Sequence, residues 1–198
     1  MLLDDIEELL MYARAEFNDA PIFLYGHSLG GNLVTNYILR KNINELQGAI
    51  VSSPWLRLAE EPPKGKVKLA NFMSGLWPSY AESNNLDVSM LTNVDEVNQA
   101  YKNDPLVHDK ISARMFVECY QNGLWALAHA VRNKIPILMY HGTDDQITSA
   151  EASHEFAKSL NENITYTQWE GIRHEPHNDL NKDEVLAAVF QWVKKSLD

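Results

Sequence analysis

The run Gly26-His27-Ser28-Leu29-Gly30-Gly31 sets a serine among small residues, directly after the apolar run Ile22-Phe23-Leu24-Tyr25 and directly before a helical pattern. A G-x-S-x-G in a strand–turn–helix setting lifts a serine hydroxyl to the top of a sheet, on a turn too tight for bulky neighbours. Gly26 and Gly30 meet that need. The helix start presents N–H groups that favour developing negative charge, and the backbone N–H of Leu29 is the natural donor to an oxyanion. This is equipment for attack on a carbonyl. A serine hydroxyl also needs a base, and the base needs an orienting acid. Two later segments offer them. One is His141-Gly142-Thr143-Asp144-Asp145-Gln146-Ile147-Thr148, with two adjacent carboxylates; the other is Glu170-Gly171-Ile172-Arg173-His174-Glu175-Pro176-His177, with two histidines three apart.

The elements that must position these loops are legible from periodicity. Leu3, Ile6, Leu10, Ala13 and Phe17 recur at spacings of three and four, which predicts an amphipathic helix stopped by Asn18-Asp19-Ala20-Pro21. Residues 22–25 predict a strand buried on both faces, and residues 28–40 a helix. Leu46–Val51 predicts a second buried strand, Ile135–Tyr140 a third and Ile164–Trp169 a fourth. Helices are predicted over roughly 112–131 and 149–160, and a closing one has Val185, Leu186, Val189, Phe190, Val193 and Leu197 as its apolar face. Strands alternating with helices imply a parallel sheet, whose ligands bind beyond the C-terminal strand ends. Ser28 and both candidate loops leave that edge, in the order serine, acid, histidine. Residues 54–110 break the alternation and hold Pro54, Pro62, Pro63, Pro78 and Pro105 of the eight prolines. They read as a lid insertion between core segments 1–53 and 111–198.

Gly-His-Ser-Leu-Gly-Gly, His-Gly-x-x-Asp-x-Ile-Thr and Glu-Gly-x-x-His together resemble the monoacylglycerol lipase and lysophospholipase branch of the α/β-hydrolases, related to the S33 serine aminopeptidases. Asp104-Pro105-Leu106-Val107-His108 is similar to that branch too. The resemblance implies an α/β-hydrolase fold with a parallel sheet of about four strands flanked by helices and a helical lid insertion. It implies Ser28 as nucleophile, Asp145 as acid and His174 as base. The family's spacing selects Asp145 over Asp144 and His174 over His177. It implies hydrolysis of carboxylic esters with apolar acyl chains, and no cofactor. A metal clip by His174 and His177 lacks a third ligand. Measured against the family pattern, the strands preceding the nucleophile strand, and with them a second oxyanion donor, have no counterpart. The nucleophile strand is then expected at a sheet edge, open to pairing with a second copy, which sedimentation would detect.

Net charge of −10, from 17 basic and 27 acidic residues, argues against a nucleic-acid partner. No apolar run reaches the ~20 residues of a membrane span. The start, Met1-Leu2-Leu3-Asp4-Asp5, lacks a basic flank and apolar core, so the expected location is cytoplasmic. Cys119, the single cysteine, reads as a buried thiol. The insertion's apolar residues, among them Trp55, Phe72, Met73, Leu76, Trp77, Tyr80 and Leu91, are expected mostly to form a small core of its own, with Trp55 and Trp77 as candidate walls of an acyl pocket. His27 is expected to pack beneath the site and His141 to anchor its loop. The rivals are an aminopeptidase, gripping an α-amine with Glu60, Glu61 or Glu82, and a degenerate lipid-binding module without turnover.

Overall fold

In the computed structural model, which describes residues 2–160 and 162–197, the four runs expected as buried strands form one parallel sheet. Its strands are β1 (Ile22–His27), β2 (Leu46–Ser52), β5 (Ile137–Gly142) and β6 (Ile164–Trp169), in the order β1-β2-β5-β6. A separate short antiparallel pair joins β3 (Ala81–Ser83) to β4 (Lys110–Ser112) inside and at the end of the insertion. The helices are α1 (Leu2–Glu16), α2 (Leu29–Arg40), α3 (Lys64–Leu76), α4 (Asp95–Asn103), α5 (Ala113–Ala128), α6 (Ala150–Ser159) and α7 (Lys182–Lys195).

Both faces of the sheet are covered, which is why the central strands carry apolar residues at consecutive positions. Ala49, Val51, Ile137 and Met139 face one way and pack with Val34, Tyr37 and Ile38 of α2, Ala126 of α5 and Phe156 of α6. The alternate residues Ile50, Leu138 and Tyr140 face the other way, against Val185, Val189, Trp192 and Val193 of the closing helix, whereas Leu186, Phe190 and Leu197, expected on the same face, are exposed. Fully burying a side chain of this size contributes about 1.5–3 kcal/mol. Parallel pairing then brings the ends of β1, β5 and β6 to one edge of the sheet.

Several expectations shift. The third strand begins at Ile137: Pro136 before it has no N–H to give the ladder, although its carbonyl accepts the Ala49 N–H at 3.0 Å. The long helix stops at Ala128, and residues 130–132 form a separate 3-10 turn. It starts where expected, with the Ser112 hydroxyl accepting the Met115 N–H. Residues 54–110, expected to be an insertion, do not collect their apolar side chains into a core of their own. α3 buries none of its residues, and Phe72, Leu76, Trp77 and Tyr80 stay exposed. Leu91 is buried, but beside the loop carrying His174, where its carbonyl accepts the Glu175 N–H. Strand β1 ends the sheet, and Tyr25 on it is exposed. Among the described residues, no helix is long and apolar enough to cross a membrane.

Candidate active site

Ser28 caps α2 with φ 54° and ψ −114°, a left-handed conformation that a serine adopts only under constraint. The constraint comes from β2. The Ser28 N–H donates to the Ser52 carbonyl at 2.9 Å, and the Ser28 carbonyl accepts the Trp55 N–H at 3.0 Å. The turn is closed so tightly that a Cβ on Gly26 would strike the Gly30 backbone and lie 2.6 Å from Val34 Cγ2. The crowding falls on Gly26, and on Gly31 beside Pro54; Gly30, expected to be equally constrained, has open space where a Cβ would be. Gly26→Ala should therefore destabilise the fold by about 1–3 kcal/mol, whereas Gly30→Ala should leave the melting temperature nearly unchanged. Equal losses in thermal denaturation would contradict this geometry.

The three loops converge. The Ser28 hydroxyl donates to His174 Nε2 at 2.9 Å, and His174 Nδ1 donates to Asp145 Oδ2 at 2.7 Å. His174 and Asp145 are buried, and Ser28 is half-buried. Asp144 is exposed and makes a backbone bond to the Ile172 carbonyl. Gly142 lets β5 close on the His174 loop, since a Cβ there would strike the Ile172 and Arg173 backbone. Leu29 is the first residue of α2, so its N–H is among those without an intrahelical acceptor.

Around Asp145 the shell is denser than the sequence suggested. Oδ1 accepts the N–H groups of Ile147 and Thr148, at 2.8 and 3.0 Å. Oδ2 accepts His141 Nε2 at 2.8 Å and the Thr148 hydroxyl at 2.9 Å, besides His174. His141 is buried, and its Nδ1 lies 2.8 Å from the Ser153 hydroxyl, so Ser153 donates to Nδ1 while Nε2–H points at the carboxylate. Burial works to raise the Asp145 carboxyl, but the hydrogen bonds from His141 and His174 outweigh it and hold it well below the usual carboxylate range. Thr148 and Ser153 carried no signal of their own in the sequence beyond one place in the His-Gly-x-x-Asp-x-Ile-Thr run.

His27 packs its ring against His174 and against His177, with centroids 4.8 Å apart in both cases, and its Nδ1 lies 3.2 Å from Ser52 Oγ. Burial, then the neighbouring His174 and His177, pushes the His27 imidazole down to about 2; burial also lowers His177. Both therefore bind a proton more weakly in the fold than in the unfolded chain. Their contribution to stability is complete above the ordinary histidine value of 6.5 and is lost as pH falls below it. The melting temperature should thus fall between pH 7 and pH 4.5, and His27→Gln should flatten that fall; an unchanged slope would contradict it. Trp55 is buried beside the turn, with its ring on Phe116. Trp77, just past the end of α3, is 58% exposed, and its ring meets that of Tyr80 at a tilt, with centroids 5.6 Å apart.

The family described as serine aminopeptidase, S33 (Hydrolase_4) matches residues 1–181, a span that includes Ser28, Asp145 and His174. The chain belongs to the S33 family. This S33 chain is 32% identical to an uncharacterized abhydrolase domain-containing protein of Dictyostelium discoideum, over 100% of its own length and 21% of that protein's. It is 27% identical to a phospholipase of Bacillus subtilis, over 94% of its own length and 72% of the other. The crystal structure of a monoacylglycerol lipase from Paleococcus ferrophilus superposes with a TM-score of 0.89 at 30% identity, covering 98% of this chain and 76% of that one. The S33 chain thus spans about a fifth of the Dictyostelium protein, and 49% of a Schizosaccharomyces pombe relative 30% identical to it. Its fold is that of the monoacylglycerol lipase-like branch of the α/β-hydrolases.

Proposed function

We propose that the protein is a serine hydrolase of carboxylic esters with apolar acyl chains, a monoacylglycerol, lysophospholipid or short-chain ester being the substrate class. The observation that carries this reading is the unbroken hydrogen-bond series from Ser28 Oγ through His174 to Asp145 at the C-terminal edge of the sheet. With Nδ1–H held by Asp145, His174 presents an unprotonated Nε2 to the Ser28 hydroxyl. It accepts the hydroxyl proton as Ser28 Oγ attacks the ester carbonyl. The Leu29 N–H, at the positive end of α2, stabilises the oxyanion of the tetrahedral intermediate. Collapse of the intermediate expels the alcohol, to which His174 returns the proton. Water, deprotonated by the same imidazole, then attacks the acyl-enzyme and releases the acid. Asp145 keeps its charge throughout and steadies the imidazolium.

Support for an apolar substrate comes from the lipase and phospholipase relatives, and from Leu69, Phe72, Leu76 and Trp77, which the insertion leaves exposed. The aminopeptidase reading is less well supported. Glu60, Glu61 and Glu82 are exposed, and among the described residues none hydrogen-bonds to Ser28, His174 or Asp145. A substrate panel separates the two. p-Nitrophenyl esters and a monoglyceride should be hydrolysed, and aminoacyl p-nitroanilides should not. Turnover of the anilides alone would overturn the ester assignment.

A further inference from the structure

His174 is held from two sides. Asp145 holds its ring, and the insertion holds its backbone. Arg173, the residue before it, donates its N–H to Asp179 Oδ2 at 2.9 Å; Glu175, the residue after it, donates its N–H to the Leu91 carbonyl at 2.8 Å. Asp179 is 1% exposed and is the hub of this attachment. Its Oδ1 accepts the Asn93 N–H at 3.0 Å and the Leu180 N–H at 2.8 Å, and its Oδ2 accepts Asn93 Nδ2 at 3.2 Å in addition to Arg173. Asn93 Nδ2 also reaches the Gly171 carbonyl at 3.0 Å. The Arg173 guanidinium donates to the carbonyls of Ser89 and Thr92, at 2.6 and 3.1 Å. The Thr92 hydroxyl donates to the Asn178 carbonyl at 3.2 Å. Leu91 and Thr92, at the centre of the seam, are both buried.

A buried carboxylate surrounded by N–H donors is costly to disturb, because each donor it leaves would be stranded away from water. The loop that carries His174 and the insertion segment 89–93 therefore move together. We propose that Asp179, with Asn93 as its counterpart, is a positioning residue for the reaction. By latching residues 171–179 to the insertion, it sets the His174 imidazole between Ser28 and Asp145. It does not touch the reacting atoms. Its effect passes through the backbone on both sides of His174, where a displacement of about 1 Å costs on the order of 10²-fold in rate. The inference rests on the proposed role of His174.

All four contacts of Asp179 are with donors, so an asparagine there must turn its NH₂ against one pair of them. Asp179→Asn should be nearly as harmful as Asp179→Ala. Asn93→Ala removes only the side-chain contacts and leaves the backbone N–H in place, and should be milder. The experiment uses the full chain with a p-nitrophenyl ester and a fluorophosphonate, below the melting temperature of every variant. For Asp179→Asn, kcat and the labelling rate should fall together by about 10²-fold, with KM within about twofold. For Asn93→Ala the fall should be several-fold. The far-downfield proton resonance of His174 Nδ1–H should shift or broaden in both. Wild-type labelling rates and an unmoved resonance, with only a lower melting temperature, would make the latch purely structural and overturn the proposal. Should Asp179→Asn not fold, Asn93→Ala decides by the same criteria. A wild type that neither hydrolyses ester nor takes the label would count against the hydrolase reading, and the resonance would still report on the latch.

Discussion

Ser28→Ala should reduce ester turnover by about 10⁴–10⁶-fold and abolish covalent labelling, while leaving the protein folded. The size of the effect follows from the roles proposed for the three groups. Without the hydroxyl, no acyl-enzyme can form, and His174 and Asp145 have nothing to activate except water. Whatever rate remains comes from substrate binding and from the helix-end donor at Leu29. The fold should hardly notice. The Ser28 side chain caps no helix N–H, and its one described hydrogen bond is to His174. The backbone stays pinned by the Ser52 and Trp55 bonds, which do not depend on the side chain. A melting temperature within a few degrees of wild type, beside turnover lower by four orders of magnitude or more, is the expected pair of results. Turnover within tenfold of wild type in both ester and monoglyceride assays would remove Ser28 from the chemistry.

Asp145→Asn should cost about 10⁴-fold in kcat and, unlike Ser28→Ala, should also destabilise the fold. Both carboxylate oxygens accept only. Oδ1 faces two backbone N–H groups, and Oδ2 faces His141, His174 and Thr148. If the new NH₂ replaces Oδ1, it confronts the Ile147 and Thr148 N–H groups, at a cost of about 1–3 kcal/mol. If it replaces Oδ2, it confronts His174 Nδ1 and forces the proton to Nε2, where the imidazole can no longer accept from Ser28. One arrangement loses stability and the other loses the base. The pH dependence should change as well. Because the folded carboxyl is held below its ordinary value, wild type has this part of its stability in full above about pH 4 and loses it as pH falls toward the lower folded value. The asparagine variant should lack that acid-side loss. Thermal melts from pH 6 to pH 3 read it directly, and parallel curves for the two proteins would contradict the assignment of Asp145 as the buried ionised partner.

Much of this arrangement is written in local patterns. β1, β2, β5 and β6 are continuous apolar runs because helices cover both sheet faces, and such runs are visible in the residues themselves. The turn at Ser28 announces itself because a glycine is required at Gly26 and a helix must follow at once. Family spacing, not periodicity, singles out Asp145 and His174 over Asp144 and His177, and it is the Asp145 and His174 side chains that hydrogen-bond to each other beside Ser28. What escaped has a common cause. Thr148, Ser153 and Asp179 act through individual hydrogen bonds, to Asp145, His141 and the Arg173 N–H, and such bonds leave no trace in the spacing of apolar residues. The segment 54–110 departs from expectation for a related reason. The apolar residues of α3 read as a core by composition, yet the helix packs chiefly on α5, and Leu69, Phe72 and Leu76 stay in solvent. Gly30 failed the opposite way, since a motif glycine was given a steric duty that its surroundings do not impose.

The most direct measurement is to react the folded protein with a fluorophosphonate, digest it, and locate the adduct by mass. One phosphonyl group per chain on the peptide bearing Ser28, formed at least a thousandfold more slowly in His174→Ala, is the result expected of a hydroxyl activated by that imidazole. An adduct on any other side chain, or a rate at Ser28 indifferent to His174, would contradict it.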